Sequence, residues 1–130
     1  MKLREIMKPS PLTVTESTRL GEAQQMMSKH RIRHLPVIAA GNRLCGILSE
    51  RDILEYRAKT ASREDWWQAP VSAAMVESPQ TAGPGDSLTE AAGRLAVAKI
   101  GALPIVEQGA LIGLVTVTDV LEAEVNQSMR

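Results

Sequence analysis

The chain repeats itself, and the repeat limits its folds more than any other feature. Shifted by 68 positions, Met7-Lys8-Pro9-Ser10-Pro11 lies over Met75-Val76-Glu77-Ser78-Pro79, Leu20-Gly21-Glu22-Ala23 over Leu88-Thr89-Glu90-Ala91, and Leu35-Pro36-Val37-Ile38 over Leu103-Pro104-Ile105-Val106. After one deletion the offset becomes 67, and Gly46–Leu54 lies over Gly113–Leu121. Two copies are too few for a solenoid. A copy of about 55 residues is too small to hold a secure core alone. The pattern predicts an α+β fold of two pseudo-symmetric β-α-β-β-α repeats packed through their sheets. The repeats fall at residues 1–57 and 71–130, with a connection over 58–70.

Both repeats read alike. An extended segment (Leu12–Thr15, Gln80–Ala82) follows the prolines. A helix comes next, with apolar residues at helical spacing: Leu20, Ala23 and Met27, then Leu88, Ala91 and Leu95. Ser87-Leu88-Thr89-Glu90 has the form of a capping box. Two apolar runs around Gly41-Asn42 and around Gln108-Gly109 signal hairpins. Pro36 and Pro104 lack an N–H and belong at a strand start or edge. Ser49 and Thr116 are N-cap candidates for the closing helices. The connection carries Trp66-Trp67 and no glycine, so it is not a flexible linker; burial is expected for the tryptophan pair, with a partner surface as the alternative.

Composition removes several classes. Phe is absent and the net charge is zero, against both a base-stacking platform and a general DNA binder. No run approaches the 18 apolar residues of a membrane span, and Met1–Glu5 has no secretory h-region. The single cysteine, Cys45, excludes an intrachain disulfide, suits a reducing, cytoplasmic setting, and reads as a core residue. The neutrality is uneven: residues 1–57 hold ten Lys/Arg against six Asp/Glu, and residues 73–130 three against seven. These opposed halves favour antiparallel pairing of two copies.

No catalytic constellation is legible. The two histidines, His30 and His34, flank Arg31-Ile32-Arg33 and lack an evident nucleophile and orienting acid. No metal-ligand spacing occurs. The informative feature is Gly46-x-x-Ser49-x-x-Asp52 and its copy Gly113-x-x-Thr116-x-x-Asp119. In each, a strand runs into a helix through a hydroxyl residue with an acid three positions on. Free N–H groups at a helix start favour an anion, a hydroxyl donates to phosphate, and a carboxylate accepts from ribose hydroxyls. The same residues also read as an N-cap with an acid suited to the helix dipole.

With the Ile6-Met7 opening and Arg33-His34-Leu35-Pro36-Val37, these endings resemble a tandem pair of CBS domains, named after cystathionine β-synthase. The likeness spans roughly residues 3–57 and 71–126. It implies a stand-alone regulatory module, not an enzyme, with two clefts for adenosine-containing ligands such as AMP, ADP, ATP or S-adenosylmethionine. No covalent cofactor and no metal are implied. Asp52 and Asp119 would hold ribose; Ser49 and Thr116 would face phosphate. Arg33 and His34 would line the first cleft, where Gly101 and Ala102 stand in the second, and Arg51 is replaced by Thr118. The first cleft thus reads as more cationic and takes phosphate first. Adenine would meet a Met-x-x-x-Pro segment from the opposite repeat. The family also implies a homodimer through helix faces bearing Met26, Ile53, Leu54, Val120, Leu121 and Val125, and a regulated protein partner. A scaffold with vestigial clefts is the alternative.

Overall fold

The computed structural model describes residues 1–59 and 65–129; residues 60–64, within the connection, lie outside the described residues. Among them the chain forms six strands and four α-helices, besides short 3-10 turns: β1 (Lys8–Pro9), α1 (Leu20–His30), β2 (His34–Ala39), β3 (Arg43–Ser49), α2 (Glu50–Lys59), β4 (Val76–Glu77), α3 (Leu88–Ala98), β5 (Ala102–Glu107), β6 (Ala110–Thr116) and α4 (Val117–Ser128). The β-α-β-β-α order holds twice. β1 and β4 open the two copies, and the extended stretches expected at Leu12–Thr15 and Gln80–Ala82 make one parallel bridge each, Val14 to Val37 and Ala82 to Ile105.

The repeats match nearly position for position. In the hairpins, His34 opposes Ser49 as Ala102 opposes Thr116, and both registers slip at one bulge, after Val37 and after Ile105. The deletion falls in the hairpin loop. Gln108 and Gly109 both take positive φ, 53° and 82°, as a two-residue type I′ turn requires, whereas the first repeat uses three residues, Ala40-Gly41-Asn42. Helices α1 and α3 both end on a left-handed residue, Arg31 and Lys99. The next N–H, of Ile32 or Ile100, returns to Met27 or Leu95, closing a Schellman turn with an apolar residue beyond it. Pro36 lies within β2, at the edge of its sheet. Its carbonyl accepts from Val14, and the next bond to that segment uses the Ile38 N–H, so no proline N–H is missed. Ser87 Oγ accepts from the Glu90 N–H at 3.1 Å, one arm of the expected capping box.

The compact units are cut differently from the sequence repeats. The central unit is Leu12–Pro79; the terminal unit joins Met1–Pro11 to Gln80–Arg130. Each repeat therefore lends its opening segment to the other. β1 pairs with β6 (Lys8 to Leu114, Pro9 to Gly113), and β4 pairs with β3 (Gly46 to Glu77, Ile47 to Val76). Each unit holds a three-stranded antiparallel sheet, β1-β6-β5 or β4-β3-β2. The lent residues are core residues. Leu3 is fully buried with Leu88, Leu103 and Val115, and its N–H donates to Asp86 at 2.9 Å. Val71, its equivalent, is fully buried with Leu20, Leu35 and Leu48, and donates to Thr18 at 2.7 Å.

This exchange corrects the charge reading. Lys2, Arg4 and Lys8 join the acidic repeat. By sequence the terminal unit holds six Lys/Arg and seven Asp/Glu, and the central unit nine and eight. The opposed fields largely cancel within the units, and with them goes the electrostatic reason for antiparallel pairing. The tryptophans also divide. Trp66 is half-buried against the central core with the Arg57 guanidinium 4.4 Å from its ring centroid, while Trp67 stays 45% exposed. Of the residues expected to be surplus on helix faces, Ile53 and Val120 are core and Met26 is half-buried. Leu54, Leu121 and Val125 remain exposed.

Candidate functional site

Each hairpin ends at a strand-to-helix junction built by one rule. In the central unit Ser49 Oγ accepts from the Asp52 N–H at 3.0 Å, and Asp52 Oδ2 accepts from the Ser49 N–H at 2.8 Å. In the terminal unit Thr116 Oγ1 accepts from the Asp119 N–H at 3.2 Å, and Asp119 Oδ2 from the Thr116 N–H at 2.9 Å. These are capping boxes with aspartate in the reciprocal position. They satisfy orphan donors of α2 and α4, so the helices alone account for the residue types. Each box leaves over the hydroxyl proton and the second carboxylate oxygen, both at a helix start that favours anions.

The residues ahead of each Leu-Pro come to the same place. The Arg33 carbonyl accepts from the Glu50 N–H at 2.9 Å, and the Gly101 carbonyl from the Val117 N–H at 3.1 Å. His34, half-buried opposite Ser49, has its pKa lowered by burial and by neighbouring Arg33, against the pull of the Asp52 carboxylate. Its imidazole is therefore neutral at pH 7. Ser49, His34 and Asp52 gather as a triad would, but the serine oxygen and the carboxylate serve the cap. Among the described residues no hydrogen bond joins His34 to either, and Ala102 takes its place in the twin site.

The other predicted residues stand further out. Arg33 is exposed and lines a groove of about 610 Å³ with Gln24, Gln25, Arg31 and Glu50. Arg51 pairs with Glu55 at 3.6 Å on the exposed side of α2, and Thr118 is exposed at the equivalent place on α4. Cys45 is the bulged residue of β3. Its Sγ donates to the Val37 carbonyl at 3.2 Å, and burial pushes its thiol pKa up, as does neighbouring Glu16.

The lent strands complete both sites. A Cβ on Gly113 would come 2.5 Å from Met7 Sδ and 3.2 Å from the Lys8 carbonyl oxygen. One on Gly46 would come 2.7 Å from Met75 Sδ and 3.0 Å from the Val76 oxygen. A side chain at either glycine would push the methionine aside and crowd the strand, and both Met-x-x-x-Pro segments cross to the opposite repeat's junction. With this crossing comes a cation that reading by halves misses. Lys8 Nζ lies 3.5 Å from Asp119 Oδ1, the oxygen the box leaves over. The lysine is 64% exposed and the aspartate 8%. The equivalent of Lys8 in the central unit is Val76. The signal was present in the Lys8-over-Val76 alignment, but only the strand pairing gives it meaning.

The CBS domain family model matches residues 3–59 and 71–126. An inosine-5′-monophosphate dehydrogenase of Aquifex aeolicus is 36% identical over 115 residues, 87% of this chain but 22% of the dehydrogenase. The CBS domain-containing protein YhcV of Bacillus subtilis is 32% identical over 117 residues, 90% of this chain and 81% of YhcV. The crystal structure of CBSX2 of Arabidopsis thaliana in complex with AMP matches with a TM-score of 0.86 at 26% identity, over 98% of both chains. The chain spans about a fifth of the dehydrogenase and most of YhcV. With both repeats matched, their hairpins in one register and their caps alike, the chain belongs to the CBS domain family and carries two CBS domains in tandem.

Proposed function

We propose that this chain is a regulatory sensor of adenosine-containing ligands. It performs no chemistry of its own and reports occupancy to a protein partner through a change in shape or pairing. One observation carries the reading: the hydroxyl-and-aspartate cap occurs twice beside a lent strand, each box leaving over a hydroxyl proton and a second carboxylate oxygen, which faces Lys8 at Asp119. The likeness to AMP-bound CBSX2 supports it. Asp52 and Asp119 hold ribose hydroxyls, and Ser49 and Thr116 donate to phosphate. Arg33 and His34 add to the central site, and Arg51 and Thr118 stand at the rims. The ligand is an adenine nucleotide or S-adenosylmethionine; the setting is cytoplasmic. Such signalling needs ligand affinity to differ between two states.

A thermal-shift screen with AMP, ADP, ATP, NAD and S-adenosylmethionine tests this. A ligand at a hundredfold excess over its Kd stabilises by about 2.7 kcal/mol. No shift with any of them contradicts the sensor. It would favour a dimerisation scaffold, for which exposed Leu54, Leu121 and Val125 speak. Product accumulating on prolonged incubation would instead reveal an enzyme.

A further inference from the structure

We infer that Lys8 is a specificity-determining residue, making the Asp119 site select adenosine ligands that carry a phosphate over the uncharged nucleoside. The inference rests on the adenosine reading above and narrows it. Asp119 is nearly buried, with Oδ2 held by the Thr116 N–H and Oδ1 facing Lys8 Nζ at 3.5 Å. A ribose that takes Oδ1 must displace the ammonium. An uncharged ligand thereby separates a nearly buried carboxylate from its cation, whose own end lies largely in solvent, and that cost, reduced by screening, falls on the ligand. A phosphate-bearing ligand returns a partner to the displaced ammonium, which is a mobile point charge on a flexible four-carbon stem. Charge-assisted bonds of this kind are among the stronger ones. The terminal site thus has its cation although its own repeat offers only Gly101 and Ala102 beside the cap. At the central site Val76 replaces the lysine, so Asp52 can take a ribose without breaking such a pair.

The molecule supplies its own control. Valine is accommodated at the equivalent place on β4, so Lys8→Val keeps the strand. Asp52→Asn silences the central site by charge while leaving an oxygen to accept from the Ser49 N–H. Calorimetry with AMP and with adenosine then reads the Asp119 site alone. Adding Lys8→Val to Asp52→Asn should lower the AMP-to-adenosine affinity ratio about tenfold or more, the scale of a lost hydrogen bond to a charged group. Lys8→Arg should restore it. Conversely, Val76→Lys with Asp119→Asn should raise that ratio at the central site. A ratio unchanged within twofold by Lys8→Val, with AMP still bound, overturns the role of Lys8 alone. Loss of all AMP binding in Asp52→Asn, when the unmodified chain binds it, shows the Asp119 site to be vestigial and also overturns that role. Failure of both compounds to bind the unmodified chain overturns the adenosine reading at this site as well.

Discussion

The terminal and central junctions carry the same backbone and different chemistry. Both cap a helix through a hydroxyl and an aspartate, both take a lent strand against a glycine, and both tie the helix start to the carbonyl two residues before Leu-Pro. Beside the aspartate the terminal site places the Lys8 side chain, whereas the central site places neutral His34 and puts Val76 at the lysine's position. The duplication keeps what the fold needs. What a ligand would meet has diverged, partly because each site draws side chains from both repeats. An inventory of charge by sequence half therefore assigns Lys8 to the wrong site.

The largest expected effect tests the exchange of opening segments. Leu3→Ala should cost about 2–5 kcal/mol, the range for a buried leucine. Amide exchange should accelerate in α3, β5 and β6, although Leu3 belongs to the first repeat. Val71→Ala should cost less, having fewer methyls to lose, and loosen α1, β2 and β3. Loosening of the central unit by Leu3→Ala would refute the exchange.

Next come the caps. Asp119→Ala removes the acceptor for the Thr116 N–H and leaves Lys8 unpaired, and should cost about 1–3 kcal/mol in chemical denaturation. Asp52→Ala, at a more exposed cap, should cost about 1 kcal/mol. The reverse order would mean that Lys8 contributes nothing to the terminal cap.

His34 separates the two sites by pH. Its folded pKa lies below the ordinary value near 6.5, chiefly through burial, so the unfolded chain takes up a proton first as pH falls. Its contribution is complete above pH 6.5 and is lost as pH falls from there through the folded value. His34→Gln should flatten that part of the stability–pH profile, and a profile unchanged by the substitution would contradict the assignment. Smallest is Arg51→Ala. Its exposed pair with Glu55 should be worth less than about 0.5 kcal/mol in denaturation, and a larger loss would mean Arg51 has a structural role.

Much of this was legible because the chain states it twice. The offset change marks the hairpin loop, the prolines fall at equivalent sheet-edge positions, and the paired motifs are the caps. The crossing of the short strands was not fixed by pattern. Lys8-Pro9 meets glycine equally well at position 46 or 113, so two residues of strand carry no local preference. Burial of the tryptophan pair failed halfway because adjacent residues in a single turn face different sides: Trp66 meets the core and Trp67 does not. The role of Lys8 depends on the crossing and could not precede it.

A ¹H–¹⁵N NMR titration of the full chain with AMP tests the adenosine-sensor reading most directly. Chemical-shift changes should gather at Gly113–Asp119 together with Met7 and Lys8, and at Gly46–Asp52 together with Met75–Glu77, so that each responding group draws on both repeats. An unperturbed spectrum, or shifts that spare Asp52 and Asp119 and their lent strands, would contradict it.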